Sequence, residues 1–284
     1  MTRAGPELHP LSAFLRPWFA TATPDLSLLN AAARQRDLRT GGGAPLRFVV
    51  PPVAAEPYEE RVFLKGEVAT RADNRHDLFN ALIWLVFPLT KAALNRRHVA
   101  ALGKAQKQAS AARGPLRDAL TQFDECGVIV AGSSAELWTA LCAHRWREVF
   151  VERRDELQRT TRFLVFGHAS HDALAAPFAG LCGKALFVEV DHAWLDLPEA
   201  AALAALDARL AALFATGNFS PRDWQPLPLL GIPGATRDNE SPGYYEDSRQ
   251  FRPARTIQAG SSPGNRWMRK HREESPGPAG RNAG

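Results

Sequence analysis

Cysteine is scarce in this sequence and long apolar runs are missing, and both absences exclude classes of protein. The three cysteines, Cys126, Cys142 and Cys182, include no C-x-x-C pair and follow no zinc-binding spacing. We therefore expect reduced thiols in the protein interior. No apolar stretch approaches the roughly 18–20 residues that a membrane-spanning helix needs, and no signal peptide is recognisable. The sequence predicts a soluble, cytoplasmic protein with no membrane partner.

More than half of the net positive charge lies at the C-terminus. The net charge of the 284 residues is +5, and residues 256–284 contribute +3 of it. This stretch is also rich in Gly, Pro, Ser, Arg and Asn, which is typical of a disordered tail. Residues 1–255 carry only +2, so the overall basicity is a weak argument for a nucleic-acid-binding fold.

Short apolar runs alternate with helical patterns, which predicts an α+β fold that is rich in helix and has a small sheet of short strands. We expect one globular domain over residues 8–255. Four prolines between positions 226 and 242 exclude regular elements from residues 221–255, which we expect to form an irregular C-terminal arm wrapping the body. Strands are predicted at 47–50, 58–64, 127–131, 163–166 and 185–190, and helices at 23–38, 74–87, 88–110, 134–157 and 198–215, with one or two helical turns at 116–123.

Polar residues recur on one face of each of the two predicted helices that Pro88 separates. The first helix is apolar nearly all round, which is typical of a buried helix. Buried polar side chains need partners, because an unsatisfied buried polar group costs about 1–3 kcal/mol. They form either an internal network or a site that opens onto a cleft. The residues are His76, Asn80 and Trp84 on the first helix, and Lys91, Asn95 and His98 on the second.

Ionisable residues further along the chain are the expected companions of these two faces. Arg117 and Asp118 lie beside a predicted short helix, Asp124 and Glu125 lie in a predicted turn, and His168 follows a strand. Side chains at such loops often carry function, and a carboxylate can exchange protons with a substrate. The candidate catalytic residues are His76, Asp77, Asn80, Asp118, Asp124 and His168, and the candidate binding residues are Lys91, Asn95, His98 and Arg117.

A divalent metal is an open alternative at the same place. Aspartate and histidine side chains suit Mg²⁺, Mn²⁺, Fe²⁺ or Zn²⁺. The spacing of these residues matches no metal-binding motif, and no H-E-x-x-H sequence is present. Asp77 and Glu125 also carry suitable oxygens, but the narrower candidate set of ligands is His76, Asp118, Asp124 and His168.

One stretch of the sequence is purely basic. No acidic residue occurs between Leu78 and Arg117, whereas seven lysines and arginines lie between positions 91 and 117. Such a surface can face phosphate groups. The alternative, which we favour, is a solvated face complemented by acids elsewhere, because no known nucleic-acid motif accompanies it.

Three stretches of the sequence together resemble one known family. They comprise Thr70-Arg71 with residues 76–84, 87–88, Lys91, Asn95 and His98; residues 114–121 with 123–125; and residues 227–234 with Asn239 and 251–253. Gly167-His168 resembles a shorter fourth piece. The family is the uncharacterised bacterial family known as domain of unknown function 3025, and the resemblance covers about residues 8–255. It implies a bacterial origin and a single domain, and it supplies no reaction.

Three hypotheses about function follow from these patterns. The first is an enzyme, a hydrolase or a protein that handles phosphate esters, and it predicts that His76, Asp118 or Asp124, and His168 converge in a cleft. The second is a nucleic-acid- or anion-binding module, and it predicts one exposed patch on the basic helix at 91–117. The third is a structural or partner-binding protein whose polar residues only hold the arm at 224–252 in place.

Overall fold

The computed structural model describes residues 8–19, 23–52, 56–107 and 114–254, and for residues 104–107 the backbone only. The tail predicted at 256–284 lies outside the described residues. In chain order the elements are α1 (Leu26–Gln35), β1 (Arg47–Val49), α2 (Tyr58–Lys65), β2 (Glu67–Ala69), α3 (Arg75–Val86), α4 (Pro88–Lys107), α5 (Pro115–Cys126), β3 (Gly127–Gly132), α6 (Ala135–Cys142), α7 (Arg154–Thr160), β4 (Thr161–Val165), α8 (His168–Ala173), β5 (Cys182–Glu189), α9 (His192–Leu195), α10 (Glu199–Thr216) and β6 (Gln225–Pro228).

The larger sheet separates two hydrophobic cores. Its strand order is β4-β3-β5-β6, with β3 and β5 parallel and both outer strands antiparallel to their neighbours. Side chains alternate along each strand, so Ile129 and Val188 face one core while Val130 and Phe187 face the other. All six residues of β3 are buried, as expected for a strand with both faces covered. The predicted α+β class is confirmed, whereas the domain limits 8–255 stay a prediction.

Helices α3, α4, α5 and α10 cover the first face of this sheet. Helix α4 begins at Pro88, where proline ends α3 as predicted and suits the first turn of a new helix. Within the described residues, no single helix is long and apolar enough to cross a membrane; α3 together with Pro88–Gly103 meets that test only as a pair bent by 109°. The bend lets the polar faces of α3 and α4 approach each other.

The strand predicted at 58–64 is wrong, because this segment forms helix α2. Glu59 and Glu60 lie in its first turn, where negative charge favours the helix dipole. Gly66 ends the helix in the left-handed conformation, with φ of 75°. The apolar residues of the segment resemble a short strand, and the signals at both ends decide in favour of a helix. A strand that was not predicted, β2, follows directly and pairs with β1.

Two further helix predictions need correction. The helix expected at 134–157 is interrupted, because His144 adopts a positive φ of 55° after α6 and a π-helical turn follows at Glu148–Glu152. The short helix expected at 116–123 is longer and continues to Cys126. Asp124 and Glu125 therefore lie in the last turn of α5 and not in a loop, and this fixes the directions of their side chains.

The C-terminal arm packs on the body as predicted, but it is not wholly irregular. Residues 225–228 form β6, an edge strand that pairs with β5, and an edge strand tolerates proline because one side of it needs no ladder hydrogen bonds. Asn239 then donates from Nδ2 to the carbonyls of Leu230 and Ile232, at 2.9 and 2.7 Å. These bonds fix the turn around Gly231 over the second core.

Candidate functional site

Helices α3, α4, α5 and α8 bring five ionisable side chains together, and we call these residues the polar cluster: His76, Lys91, Asp124, Glu125 and His168. A close backbone approach places two of them side by side. A Cβ atom on Gly167 would lie 2.4 Å from the carbonyl oxygen of Glu125 and 2.5 Å from Cα of Cys126. Only glycine allows the start of α8 to lie this close to the end of α5, so His168 is held against Glu125.

Lys91 lies at the inner end of the polar cluster, with only 4% of its side chain exposed. Its Nζ donates to Oδ1 of Asp124 at 2.6 Å and to Oδ1 of Asn80 at 2.9 Å. The ammonium group also lies 5.4 Å from the centre of the Trp84 ring. Asn80 in turn donates from Nδ2 to the hydroxyl of Tyr58 at 3.1 Å. The buried charge of Lys91 is therefore fully surrounded by partners.

His168 lies between the two carboxylates. Its Nε2 is 3.4 Å from Oε2 of Glu125, and its Nδ1 is 3.9 Å from Oδ2 of Asp124. The ring of His76 meets the ring of His168 edge-on, with 4.5 Å between centres, and Nε2 of His76 lies 3.9 Å from the same Glu125 oxygen. His168 is buried, whereas the side chains of His76 and Glu125 are 36% and 39% exposed. The cluster thus has a dry inner side and a side open to solvent.

Burial and neighbouring charges set the protonation of these groups. Burial lowers the pKa of His168 to about 4, so its imidazole is neutral at pH 7. Burial by itself would raise the pKa of Asp124, but the charge and hydrogen bond of Lys91, together with His168 and His98, outweigh it, and the net pKa is lowered. For Glu125, burial and then the charge of Asp124 raise the pKa. A neutral imidazole between an ionised and a less acidic carboxyl can accept and pass on a proton.

A second group of polar residues adjoins the inner side of the cluster. Asn95 donates from Nδ2 to Oε2 of Glu59 at 2.7 Å, and burial raises the pKa of Glu59 to about 7. His98 is buried and close enough to lower the pKa of Asp124, and Arg117 similarly lowers that of Glu59. The predicted binding residues Lys91, Asn95, His98 and Arg117 therefore lie around the half-buried carboxyl groups of Asp124 and Glu59. Glu59 was missed because its segment was predicted to be a strand.

Two predicted catalytic residues lie away from the cluster. Asp77 accepts from Arg71 through Nε and Nη2, both at 2.8 Å, and from the backbone N–H of Arg71, so it ties this loop to the start of α3. Asp118 lies on α5 two turns before Glu125, about 10 Å along the helix axis. The candidate ligand set therefore needs correction. The groups that converge are His76, Glu125 and His168, whose ligand atoms all lie within 4.8 Å of one another, and Asp124 lies behind His168.

Of Lys91, Arg96 and Arg97, the basic side chains described on α4, only Arg96 is exposed, so they do not form the predicted patch. Lys91 is buried in its ion pair. Arg96 donates from Nε to the carbonyl of Gly41 at 2.8 Å, and Arg97 donates to the carbonyls of Ala215 and Gly217 at the end of α10. Arg97 therefore satisfies carbonyls that the end of a helix leaves open. The side chains of Lys104, Lys107 and Arg113 lie outside the described residues.

The anchors of the arm come from another part of the molecule. Arg154 donates to the carbonyl of Asn239 and to the hydroxyl of Tyr245, each at 3.2 Å. Trp146 donates from Nε1 to the carbonyl of Arg252 at 2.8 Å. These residues belong to the face of the sheet opposite α3 and α4, whereas Trp224 packs on the α3 and α4 side and donates from Nε1 to the carbonyl of Ala119 on α5 at 3.0 Å. None of these described anchors is a residue of the polar cluster.

Comparison with known proteins identifies the family of this chain. No curated protein and no solved structure matches the chain. The family model described as "Protein of unknown function (DUF3025)" matches residues 46–255, a range that includes the whole polar cluster, Glu59 and the arm. By this match over most of its length, the chain belongs to the DUF3025 family.

Proposed function

We propose that the protein is a hydrolytic enzyme and that the polar cluster is its active centre. One observation carries the proposal. Two histidines and two carboxylates from helices α3, α5 and α8 form a row in which each side chain lies within 4 Å of the next, in the order His76, Glu125, His168, Asp124. Structural ion-pair networks also bring charges together. Here, however, an imidazole held neutral by burial faces a partly exposed carboxyl, and a substrate or a water molecule can reach that side.

Some of these residues are candidates for proton transfer to or from the substrate, and others hold the first group in position. His168 is the candidate general base, because its imidazole is neutral and its Nε2 lies 3.4 Å from the partly exposed carboxyl of Glu125, where it could take a proton from water. Glu125, with a raised pKa, is the candidate partner that returns a proton to the leaving group. Asp124 faces Nδ1 of His168 and is the candidate group that orients the ring. Lys91 acts only through Asp124, because its ammonium group is occupied and buried.

We take esters, and phosphate esters first, as the substrate class. Arg75 is an exposed cation directly before His76, whereas the charge of Arg71 is paired with Asp77. An exposed cation beside the cluster favours an anionic substrate.

Hydrolysis of p-nitrophenyl phosphate, bis(p-nitrophenyl) phosphate and p-nitrophenyl acetate tests the proposal. We expect the wild type to hydrolyse at least one of them and His168→Gln and Glu125→Gln to lose at least about 100-fold in rate, within the usual contribution of general acid–base groups. His192→Gln and Glu199→Gln are matched controls, because both residues are exposed and lie on α9 and α10. If all four variants keep the wild-type rate, or the wild type hydrolyses none of the three esters, the proposal is wrong.

A cytoplasmic location and a bacterial origin are part of the same proposal. All three cysteines are unpaired, which suits a reducing compartment. The bacterial origin rests on the family resemblance alone. Detection of the tagged protein in cell fractions of a bacterium would test the location.

A further inference from the structure

We propose that His76, Glu125 and His168 bind one divalent transition-metal ion, with Zn²⁺ as the first choice. Each residue offers one ligand atom, and the three atoms lie within 4.8 Å of one another. Around a tetrahedral zinc ion with bonds of about 2.0–2.1 Å, neighbouring ligand atoms are about 3.3–3.5 Å apart. The 3.4 Å from His168 Nε2 to Glu125 Oε2 already has this value, whereas His76 Nε2, at 3.9 Å from that oxygen, would have to move closer to bind.

The ligand chemistry selects the class of metal. Two imidazoles and one carboxylate suit Zn²⁺ and neighbouring first-row ions, whereas Ca²⁺ and Mg²⁺ prefer sites made of oxygen atoms. Three protein ligands leave a fourth position for water, which is the pattern of catalytic zinc and not of structural zinc. The open side of the cluster, where His76 and Glu125 are more than a third exposed, leaves room for that water.

The residues behind the ligands fit the same inference. Metal-binding histidines usually donate their second ring N–H to a carboxylate, which fixes the ring and its tautomer. Nδ1 of His168 is buried, makes no hydrogen bond of standard geometry within the described residues, and lies 3.9 Å from Oδ2 of Asp124. Lys91 binds the other oxygen of Asp124. A small closure around the ion would complete a chain from Lys91 through Asp124 and His168 to the metal.

The role of the ion, unlike its binding, rests on the proposed function. A bound Zn²⁺ would supply a hydroxide at neutral pH for attack on the ester. Asp124 would hold the His168 ring in place. Glu125 and His168 would then both be ligands, so Nε2 of His168 could not accept a proton from water and Glu125 could not donate one freely. The metal therefore reassigns both residues, with the metal-bound hydroxide in place of the general base, and leaves the location of the active centre unchanged.

Metal content tests the binding. The full chain is stripped with a chelator, dialysed against Zn²⁺ and analysed for metal, and the stripped protein is also titrated with Co²⁺ and followed by its visible absorption. We expect one metal per wild-type chain that is missing from His76→Gln, Glu125→Gln and His168→Gln, with an affinity loss of at least about 100-fold. His192→Gln and Glu199→Gln should retain it. If the wild type binds no more metal than His76→Gln, the inference is overturned. The His76 side chain is partly exposed, so this variant should fold.

Asp124→Asn provides a separate test of the positioning role. We expect it to keep one metal per chain with an affinity about 10–100-fold lower, the usual effect of losing such a partner. Unchanged affinity would contradict the role of Asp124. The two proposals also fail differently: ester hydrolysis that depends on His168 and survives chelation at full rate overturns the metal site alone, whereas tight metal binding without hydrolysis of any ester overturns only the proposed function.

Discussion

Lys91 and Asp124 form an ion pair of 2.6 Å between Nζ and Oδ1, where α4 passes the end of α5. Lys91 is 4% exposed and Asp124 is 19% exposed, so water screens the pair little. Removing one partner of a buried ion pair leaves an uncompensated charge, which costs about 3–5 kcal/mol, while replacing both by apolar residues is often neutral. The pair therefore ties the fold to the proposed active centre.

The first prediction concerns this pair. Lys91→Met should lower the free energy of unfolding by about 3–5 kcal/mol, and Lys91→Met with Asp124→Leu should recover most of the loss. Urea unfolding of the metal-free protein measures both. If the double variant is less stable than the single one by the full cost of a second deletion, the two side chains do not interact as described.

The second prediction concerns the approach of α8 to α5. Gly167→Ala should cost about 1–3 kcal/mol, because its Cβ would meet backbone atoms of Glu125 and Cys126 that cannot move aside easily. It should also displace His168 from Glu125 and lower ester hydrolysis and metal binding. Gly103→Ala is the matched control: no atom lies within 4 Å of its added Cβ, and alanine is favoured by up to about 1 kcal/mol inside a helix. Equal stability of the two variants would contradict the close approach.

The polar faces around Pro88 could be predicted from sequence because their information is local. Spacings of three and four place His76 with Asn80, and Lys91 with Asn95 and His98, on common helix faces, and the structure buries Asn80 and Lys91 in one network. Asp124 and His168 were named as companions. The narrower set of predicted ligands left out Glu125, because Asp124 and Glu125 were placed in a turn, and only the helical phase of α5 shows that they face different partners.

Contacts between residues far apart in the sequence could not be predicted from such local spacings. Glu59 joins the inner polar group only because α2 packs against α4, and its segment was predicted to be a strand. Likewise, Asp207 lies in an Ala/Leu-rich helix where nothing in the sequence indicates a role. Its partners are 117 and 118 residues away, so only the packing of α10 on α4 makes it a cap.

The third prediction tests this cap. Asp207 accepts from the backbone N–H of Leu89 at 3.0 Å and of Thr90 at 2.8 Å, and Thr90 is fully buried. Asp207→Ala should lower the free energy of unfolding by about 2–4 kcal/mol, because buried N–H groups lose their acceptor. Asp25→Ala, which removes the exposed cap of α1, should cost only about 0.5–2 kcal/mol. Similar losses in the two variants would show that burial does not strengthen the Asp207 cap.

The last prediction is a pH dependence of stability that originates at His171. Its Nε2 lies 2.8 Å from the carbonyl of Val165, which can only accept, so Nε2 carries the proton and Nδ1 accepts from the hydroxyl of Ser12 at 2.7 Å. Both nitrogens are thus satisfied in the neutral ring, and burial lowers the pKa of His171 to about 3. In the unfolded chain, the imidazole has a pKa of about 6.5. Between these values the unfolded state binds the proton and the folded state does not, so stability is full above about pH 6.5 and falls as the pH drops towards 3, by up to about 1.4 kcal/mol per pH unit.

His168 adds a similar slope above about pH 4, so the contribution of His171 is the difference between the wild type and His171→Gln. This variant should be less stable at pH 7 by about 1–3 kcal/mol, since Ser12 loses its acceptor, and its stability should fall less steeply towards low pH. Urea unfolding at a series of pH values measures both effects, with His192→Gln as the exposed control. Parallel curves for the wild type and His171→Gln would mean that His171 is not held neutral by the fold.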